Sequence, residues 1–420
     1  MKLYRDGCFE PLYVKYSGFL LKLSENTQKS PEVLDRINPC LRMILCYNIQ
    51  VKVFALYGGL VMRNLFEYLE NTGAEPFGPQ GPANADYAVF CRLSYIPFAG
   101  IVPADEKGGY VSLADAAEQV IKLADTNGDG RKYHLPADAK LLGEVIRSKR
   151  YSELKLGRYV EIFNTARQEQ FCAMTFLIPD GGCVVVYRGT DGSIIGWKED
   201  FNMGFMDELP SQKDAVAYIN DTPEDAARKL YVCGHSKGGN LAMYASAFAE
   251  ETVQQRIAAV KSLDGPGFRD GITGTEGFMR VLDRMESFIP QSSIVGMLLE
   301  HKERIHIIHS CTKGSKQHDI YSWDITGDDF TEEEGLTSTS LMVNKAINTW
   351  AEDMPEEKRM KLTEGIFEIV QATEAETLEE LFEAKKLFGV LTGMGKLDDE
   401  TKELIGQTGK IIMRSLRKKG

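Results

Sequence analysis

The chain has 420 residues, enough for one large domain and a smaller one, and its 43% hydrophobic and 26% charged content is that of an ordinary globular protein. A formal net charge of −12 argues against a nucleic-acid binder, which needs a basic stripe. The clearest basic cluster, Arg414 to Lys419, reads as cations at a helix C-terminus rather than a membrane contact.

Residues 1–61 are a patchwork of short apolar runs and are expected to be an atypical N-terminal extension. Gly58-Gly59 shortly before Met62 fits a purine-rich ribosome-binding site read in frame, so Met62 is the expected true start. No secretory apolar region follows Met1. The most apolar stretch, Met43 to Met62, carries Asn48, Gln50 and Lys52, so no transmembrane helix is expected. None of the eight cysteines forms a Cys-x-x-Cys pair, which argues against zinc; thiols within apolar runs suit a reduced, cytoplasmic setting.

A first helix starts at Asn64, carries Leu65, Phe66 and Leu69, and stops at Gly73. Further helices are predicted over Ala85–Leu93 and Leu113–Ala124. The last runs into Asp125-Thr126-Asn127-Gly128-Asp129-Gly130, the first half of an EF-hand calcium loop. The twelfth position, which needs a bidentate Glu, is Pro136, so an Asx-rich turn is expected, with neither metal nor any other cofactor.

The core begins near Tyr159. Strands are predicted over Gln170–Ile178 and Gly182–Tyr187, joined by the turn Pro179-Asp180-Gly181, then over Leu230–Cys233, Ile257–Leu263 and Arg304–Cys311. Helical patterns fall between them at Gln212–Ile219, Asn240–Glu250 and Phe278–Phe288. This alternation implies an α/β fold with a mainly parallel sheet covered on both faces. From Ser338 the strand signal vanishes. Amphipathic helices are predicted over Leu341–Ala351, Glu356–Ala372, Thr377–Leu387 and Asp398–Leu416, with Gly393-Met394-Gly395 as punctuation. The expected divisions are the extension 1–61, an α/β domain with N-terminal helices 62–337, and a C-terminal helical region 338–420.

The strand Leu230–Cys233 enters Gly234-His235-Ser236-Lys237-Gly238, and an Ala-rich helix leaves it. Gly-x-Ser-x-Gly in a strand–turn–helix context is the nucleophile elbow of α/β-hydrolases, which makes Ser236 the candidate nucleophile. The helix N-terminus behind it favours developing negative charge. Such a serine needs a base, an acid and an oxyanion hole.

His301 lies in a charged helix end, and His306 and His309 lie in an apolar strand-like run. His318 sits in a polar loop beyond the last strand and is the candidate base. Asp264 ends a strand before Gly265-Pro266-Gly267 and is the candidate acid, with Asp283, Glu286 and Asp319 as fallbacks. The oxyanion donors are expected to be the backbone N–H groups of Lys237 and Thr190, the Thr190 hydroxyl adding support. The Lys237 ammonium itself is expected to be a solvated surface charge.

Tyr187-Arg188-Gly189-Thr190-Asp191 and Gly196-Trp197-Lys198-Glu199-Asp200 resemble the Arg-Gly-Thr…Asp-Trp…Asp signature of class 3 lipases. Gly234-His235-Ser236-Lys237-Gly238-Gly239 resembles their Gly-His-Ser-Leu-Gly-Gly elbow, with Lys237 in place of Leu. Together with Gln170-Phe171, Asp264-Gly265-Pro266-Gly267-Phe268, Ser292 to Met297 and Gln317-His318-Asp319, the chain resembles a bacterial, domain-of-unknown-function branch of class 3 lipase-like α/β-hydrolases over roughly Met62 to Phe330. The resemblance implies an α/β-hydrolase fold and hydrolysis of an acyl ester or lipid. It carries Ser236, Thr190 and His318; Asp264 resembles the acid of the pancreatic-lipase branch instead. An acyltransferase or thioesterase would use the same residues. The alternative of another class is a non-catalytic scaffold.

Overall fold

The computed structural model describes residues 61–62, 64–104, 109–125, 133–179, 181–223, 228–269, 271–338, 340–342, 344–345, 354–373 and 387–417. The N-terminal extension, the Asx-rich turn after Asp125 and most of the helices expected at 341–351 and 377–387 lie outside the described residues. Residues 62–420 group into one compact unit.

Its centre is an eight-stranded sheet in sequential order: β1 (Val111–Ser112), β2 (Lys155–Asn164), β3 (Glu169–Leu177), β4 (Gly182–Tyr187), β5 (Lys229–His235), β6 (Ile257–Leu263), β7 (Met285–Pro290) and β8 (Arg304–Ile308). The pairs from β1 to β4 are antiparallel and those from β4 to β8 parallel. This is the mainly parallel sheet of an α/β-hydrolase fold.

Among the described residues, four helices precede the parallel strands: α1 (Leu65–Thr72), α2 (Asn84–Leu93), α3 (Leu113–Asp125) and α4 (Ala137–Arg147). Asn64 caps α1, its side chain accepting from the N–H groups of Phe66 and Glu67. The helices between parallel strands are α5 (Ile194–Asn202), α6 (Pro210–Asn220), α7 (Lys237–Phe248), α8 (Glu251–Arg256) and α9 (Glu276–Val281). A short hairpin follows, β9 (Ile325–Thr326) and β10 (Asp329–Phe330). The chain ends in α10 (Glu356–Gln371), α11 (Leu387–Lys396) and α12 (Asp399–Arg417).

The two faces of the sheet are written in the strand alternation. Val184, Val186, Tyr231 and Cys233 point into one core, shared with Leu65, Ala88, Val89 and Leu142 of the N-terminal helices. Val185, Tyr187, Leu230 and Val232 point into the other, with Ile219, Leu241, Ala245 and Phe278 of the crossover helices. Right-handed crossovers between sequentially ordered parallel strands leave their helices on one face, so the N-terminal helices must cover the other. Asp86 ties that layer together. It is fully buried and accepts from Tyr68 Oη (2.8 Å), Arg150 Nη2 (2.6 Å) and the Tyr151 hydroxyl.

Three sequence expectations give way. The helix predicted over Phe278–Phe288 ends at Val281, and Met285 opens β7. Phe278, Val281 and Met285 recur with helical spacing, but Ser287 and Phe288 pair between two parallel strands, a local ambiguity that tertiary pairing decides. Gly393 and Gly395 lie inside α11 instead of breaking it. The strand expected to Cys311 ends at Ile308.

Candidate active site

The parallel strands deliver the candidate residues from their C-terminal ends, where ligands bind in open α/β sheets. β4 runs into Thr190, β5 into Ser236, β6 into Asp264 and β7 into Ser293, and the loop beyond β8 carries His318.

Ser236 sits between β5 and α7 with φ 59° and ψ −131°, a conformation that costs a non-glycine residue about 1–3 kcal/mol. Its N–H donates to the Leu263 carbonyl at 2.9 Å, and its carbonyl accepts from Gly239 N–H at 2.9 Å. The flanking glycines are sterically required. A Cβ on Gly234 would stand 2.0 Å from the Gly238 carbonyl oxygen, and one on Gly238 would stand 2.1 Å from the Tyr187 oxygen.

Asp264 also has a positive φ, 50°. Its Oδ2 lies 2.6 Å from His318 Nδ1. Its Oδ1 accepts from Ser293 Oγ at 2.5 Å and from Gly296 N–H at 3.1 Å. With Nδ1–H donating to Asp264, the other ring nitrogen of His318 keeps its lone pair. Asp264 is 1% exposed and the His318 side chain 30%, so the acid is sealed and the imidazole accessible.

None of the fallback acids takes that place. Asp283 lies in a 3₁₀ turn, Glu286 pairs with Lys261, and Asp319 caps Tyr321 N–H. His306 pairs with Glu332 and His309 with Asp324. His301 lies outside any helix, against Glu303.

His235 was not singled out from sequence. Its Nε2 lies 2.8 Å from the His318 carbonyl oxygen, which can only accept, so Nε2 carries the hydrogen and Nδ1 accepts from Tyr95 Oη at 3.0 Å. Burial holds its imidazole well below the usual histidine range, aided by His318 and Arg92, and keeps it neutral. Arg92 lies 4.6 Å over the Tyr95 ring and pairs with buried Asp138 at 2.6 Å. The N-terminal helices thereby reach the backbone of His318.

The Lys237 ammonium is not a solvated charge. It is fully buried and pairs with Glu199 Oε2 at 2.7 Å, a carboxylate equally buried. Thr190 Oγ1 lies 2.8 and 2.7 Å from the two oxygens of Asp200. Burial pushes the Asp200 carboxyl up to about 6, against the pull of Lys237. Among the described residues, no acceptor takes the backbone N–H of Thr190 or of Lys237. Among the described residues, too, no group of His, Cys, Asp and Glu is arranged to hold a metal ion, and no helix is long and apolar enough to cross a membrane.

A family model described as Mbeg1-like matches residues 145–368, just over half of the chain, and the chain belongs to that family, which is class 3 lipase-like. The family places it with lipase-like hydrolases. No curated protein matches. Solved structures do; one, described as the crystal structure of M37 lipase, is 15% identical with a TM-score of 0.31, over 50% of this chain and 68% of that one.

Proposed function

We propose that this Mbeg1-like protein is a serine-dependent ester hydrolase acting on an acyl ester or lipid. Ser236 Oγ attacks the ester carbonyl and gives its proton to His318, at the nitrogen opposite the Asp264 contact. His318 passes that proton to the leaving alcohol as the C–O bond breaks. Water then attacks the acyl-serine as His318 takes its proton; His318 gives that proton to Ser236 Oγ as the acyl–oxygen bond breaks, and the carboxylic acid leaves. Asp264 holds the imidazole in the required tautomer. The backbone N–H groups of Thr190 and Lys237 donate to the oxyanion, each such donor typically contributing about 3 kcal/mol.

The observation that carries this reading is the bond from His318 Nδ1 to Asp264 Oδ2, made at the strand ends that also present a serine with φ 59°. The five described cysteines are free thiols, four of them buried, which supports the reduced, cytoplasmic setting expected from sequence.

Incubation of the full chain with a fluorophosphonate probe tests the proposal. Covalent labelling that Ser236→Ala abolishes, with turnover of p-nitrophenyl esters, supports it. A wild-type chain that neither labels nor hydrolyses overturns it in favour of a scaffold. Thioesters and acyl esters of increasing chain length in the same assay fix the acyl group and leaving group.

A further inference from the structure

We infer that the buried ion pair of Glu199 and Lys237 is a positioning device for the oxyanion site, holding the backbone donors of Thr190 and Lys237 in one rigid frame through α5. The inference rests on the hydrolase reading.

Lys237 is the residue after Ser236 and opens α7. Its three ammonium hydrogens have three acceptors: Glu199 Oε2 at 2.7 Å, the Gln170 carbonyl at 2.7 Å and Gln170 Oε1 at 3.1 Å. Both carboxylate oxygens of Glu199 are engaged in turn. Its Oε2 also accepts from Gln170 N–H and its Oε1 from Ser211 N–H, each at 3.1 Å. One side-chain pair therefore joins α5, β3, the start of α6 and the elbow.

The next residue of α5, Asp200, holds the Thr190 hydroxyl with both carboxylate oxygens. Thr190 lies in the loop between Gly189 and Gly192, where Asp191 is itself tied to Ser193 N–H at 3.0 Å. Consecutive side chains of one helix thus hold both residues whose N–H groups are the proposed oxyanion donors. Donors of this kind act only when held about 2.7–3.1 Å from the oxygen they stabilise.

Stability alone does not account for the pair. Burying two charges costs about as much as their attraction returns, and an apolar pair of similar volume commonly does as well or better. A cation in the first turn of a helix also opposes the helix dipole. What an apolar pair lacks is direction: it would fill the space without fixing the angle between α5 and the elbow.

The test uses the full chain and three variants, Glu199→Gln, Lys237→Met and the size-matched double Glu199→Met with Lys237→Met. The kcat and KM for a short p-nitrophenyl ester are measured beside the melting temperature. The expected result is kcat lowered about tenfold to a hundredfold with KM within about twofold, and a double variant whose melting temperature recovers while its kcat does not. Folded variants with wild-type kcat overturn the inference, as does a double variant that recovers kcat together with stability. Loss of folding in all three makes the pair a folding element and overturns it too. An inert wild type that takes no fluorophosphonate overturns the hydrolase reading, and this one falls with it.

Discussion

Asp264 grips His318 with one carboxylate oxygen, Oδ2 to Nδ1 at 2.6 Å, while Ser293 and Gly296 hold the other oxygen. Asp264→Asn keeps the volume but offers an amide where the imidazole needs an acceptor. It should leave the fold intact and lower kcat for ester hydrolysis by up to about 10⁴. Asp283→Asn, in a 3₁₀ turn, and Asp319→Asn, whose carboxylate caps Tyr321 N–H, should stay close to wild type. Ser293→Ala leaves Gly296 N–H in place and should cost less than Asp264→Asn. Steady-state kinetics with far-ultraviolet circular dichroism as a fold control decides; an Asp264→Asn variant near wild-type kcat would remove Asp264 from the proposed triad.

The backbone at Ser236 stores strain that glycine does not feel. Ser236→Gly should abolish fluorophosphonate labelling and melt at or above the wild-type temperature, because relief of about 1–3 kcal/mol exceeds the entropic cost of about 0.5–1 kcal/mol that glycine adds. Ser236→Ala removes the candidate nucleophile's hydroxyl but keeps a Cβ at φ 59°, so it should melt below Ser236→Gly. Differential scanning calorimetry of the pair reads the order, and the reverse order would refute stored strain.

Tyr95 reaches the site through His235. Tyr95→Phe takes the donor from a buried His235 Nδ1, which leaves a polar atom unpaired at a cost of about 1–3 kcal/mol. Since His235 Nε2–H holds the His318 carbonyl, the looser ring should also let the loop carrying His318 drift. Lower melting temperature together with a several-fold lower kcat is the expected outcome. A variant that loses stability but keeps kcat would show that His235 does not position His318.

What the sequence could reveal followed from how locally each feature is determined. β6 was readable end to end at Ile257–Leu263, and the elbow was readable because its five-residue pattern is local, Gly234 being demanded by Gly238 four residues on. Asp264 and His318 could be paired because both sit just beyond strands that the apolar pattern marks. α5 could not be read, since its pattern is inverted: Gly196, Glu199 and Asn202 are buried while Trp197 and Phe201 are 38% and 48% exposed. Phe201 packs instead on Phe367 of α10, with centroids 5.8 Å apart. β2 was hidden by a bulge at Arg158, φ 53°, which breaks the period of two. Lys237 was misread for the same long-range reason: a lysine is solvated unless a distant residue supplies a buried carboxylate, and no local pattern points to Glu199.

Glu169, at the start of β3, gives the chain a pH dependence with a definite sign. Its side chain is fully buried, and burial, followed by the neighbouring Asp214, pushes its carboxyl from 4.5 up to about 8 against the pull of Arg167, with Glu199 adding to the rise. Between those two values the folded chain holds a proton that the unfolded chain has lost. The unfolded state therefore binds fewer protons, and this group's contribution to stability falls as pH rises from 4.5 towards 8, then levels off. Glu169→Gln copies the protonated form at every pH. The variant should differ least from wild type near pH 5, the lowest pH of the series, and melt progressively higher than wild type as pH rises to 8, with the gap constant above that. Melting curves of both proteins in matched buffers from pH 5 to 9 provide the check. A gap that does not change with pH would mean that Glu169 titrates no differently in the folded chain than in the unfolded one.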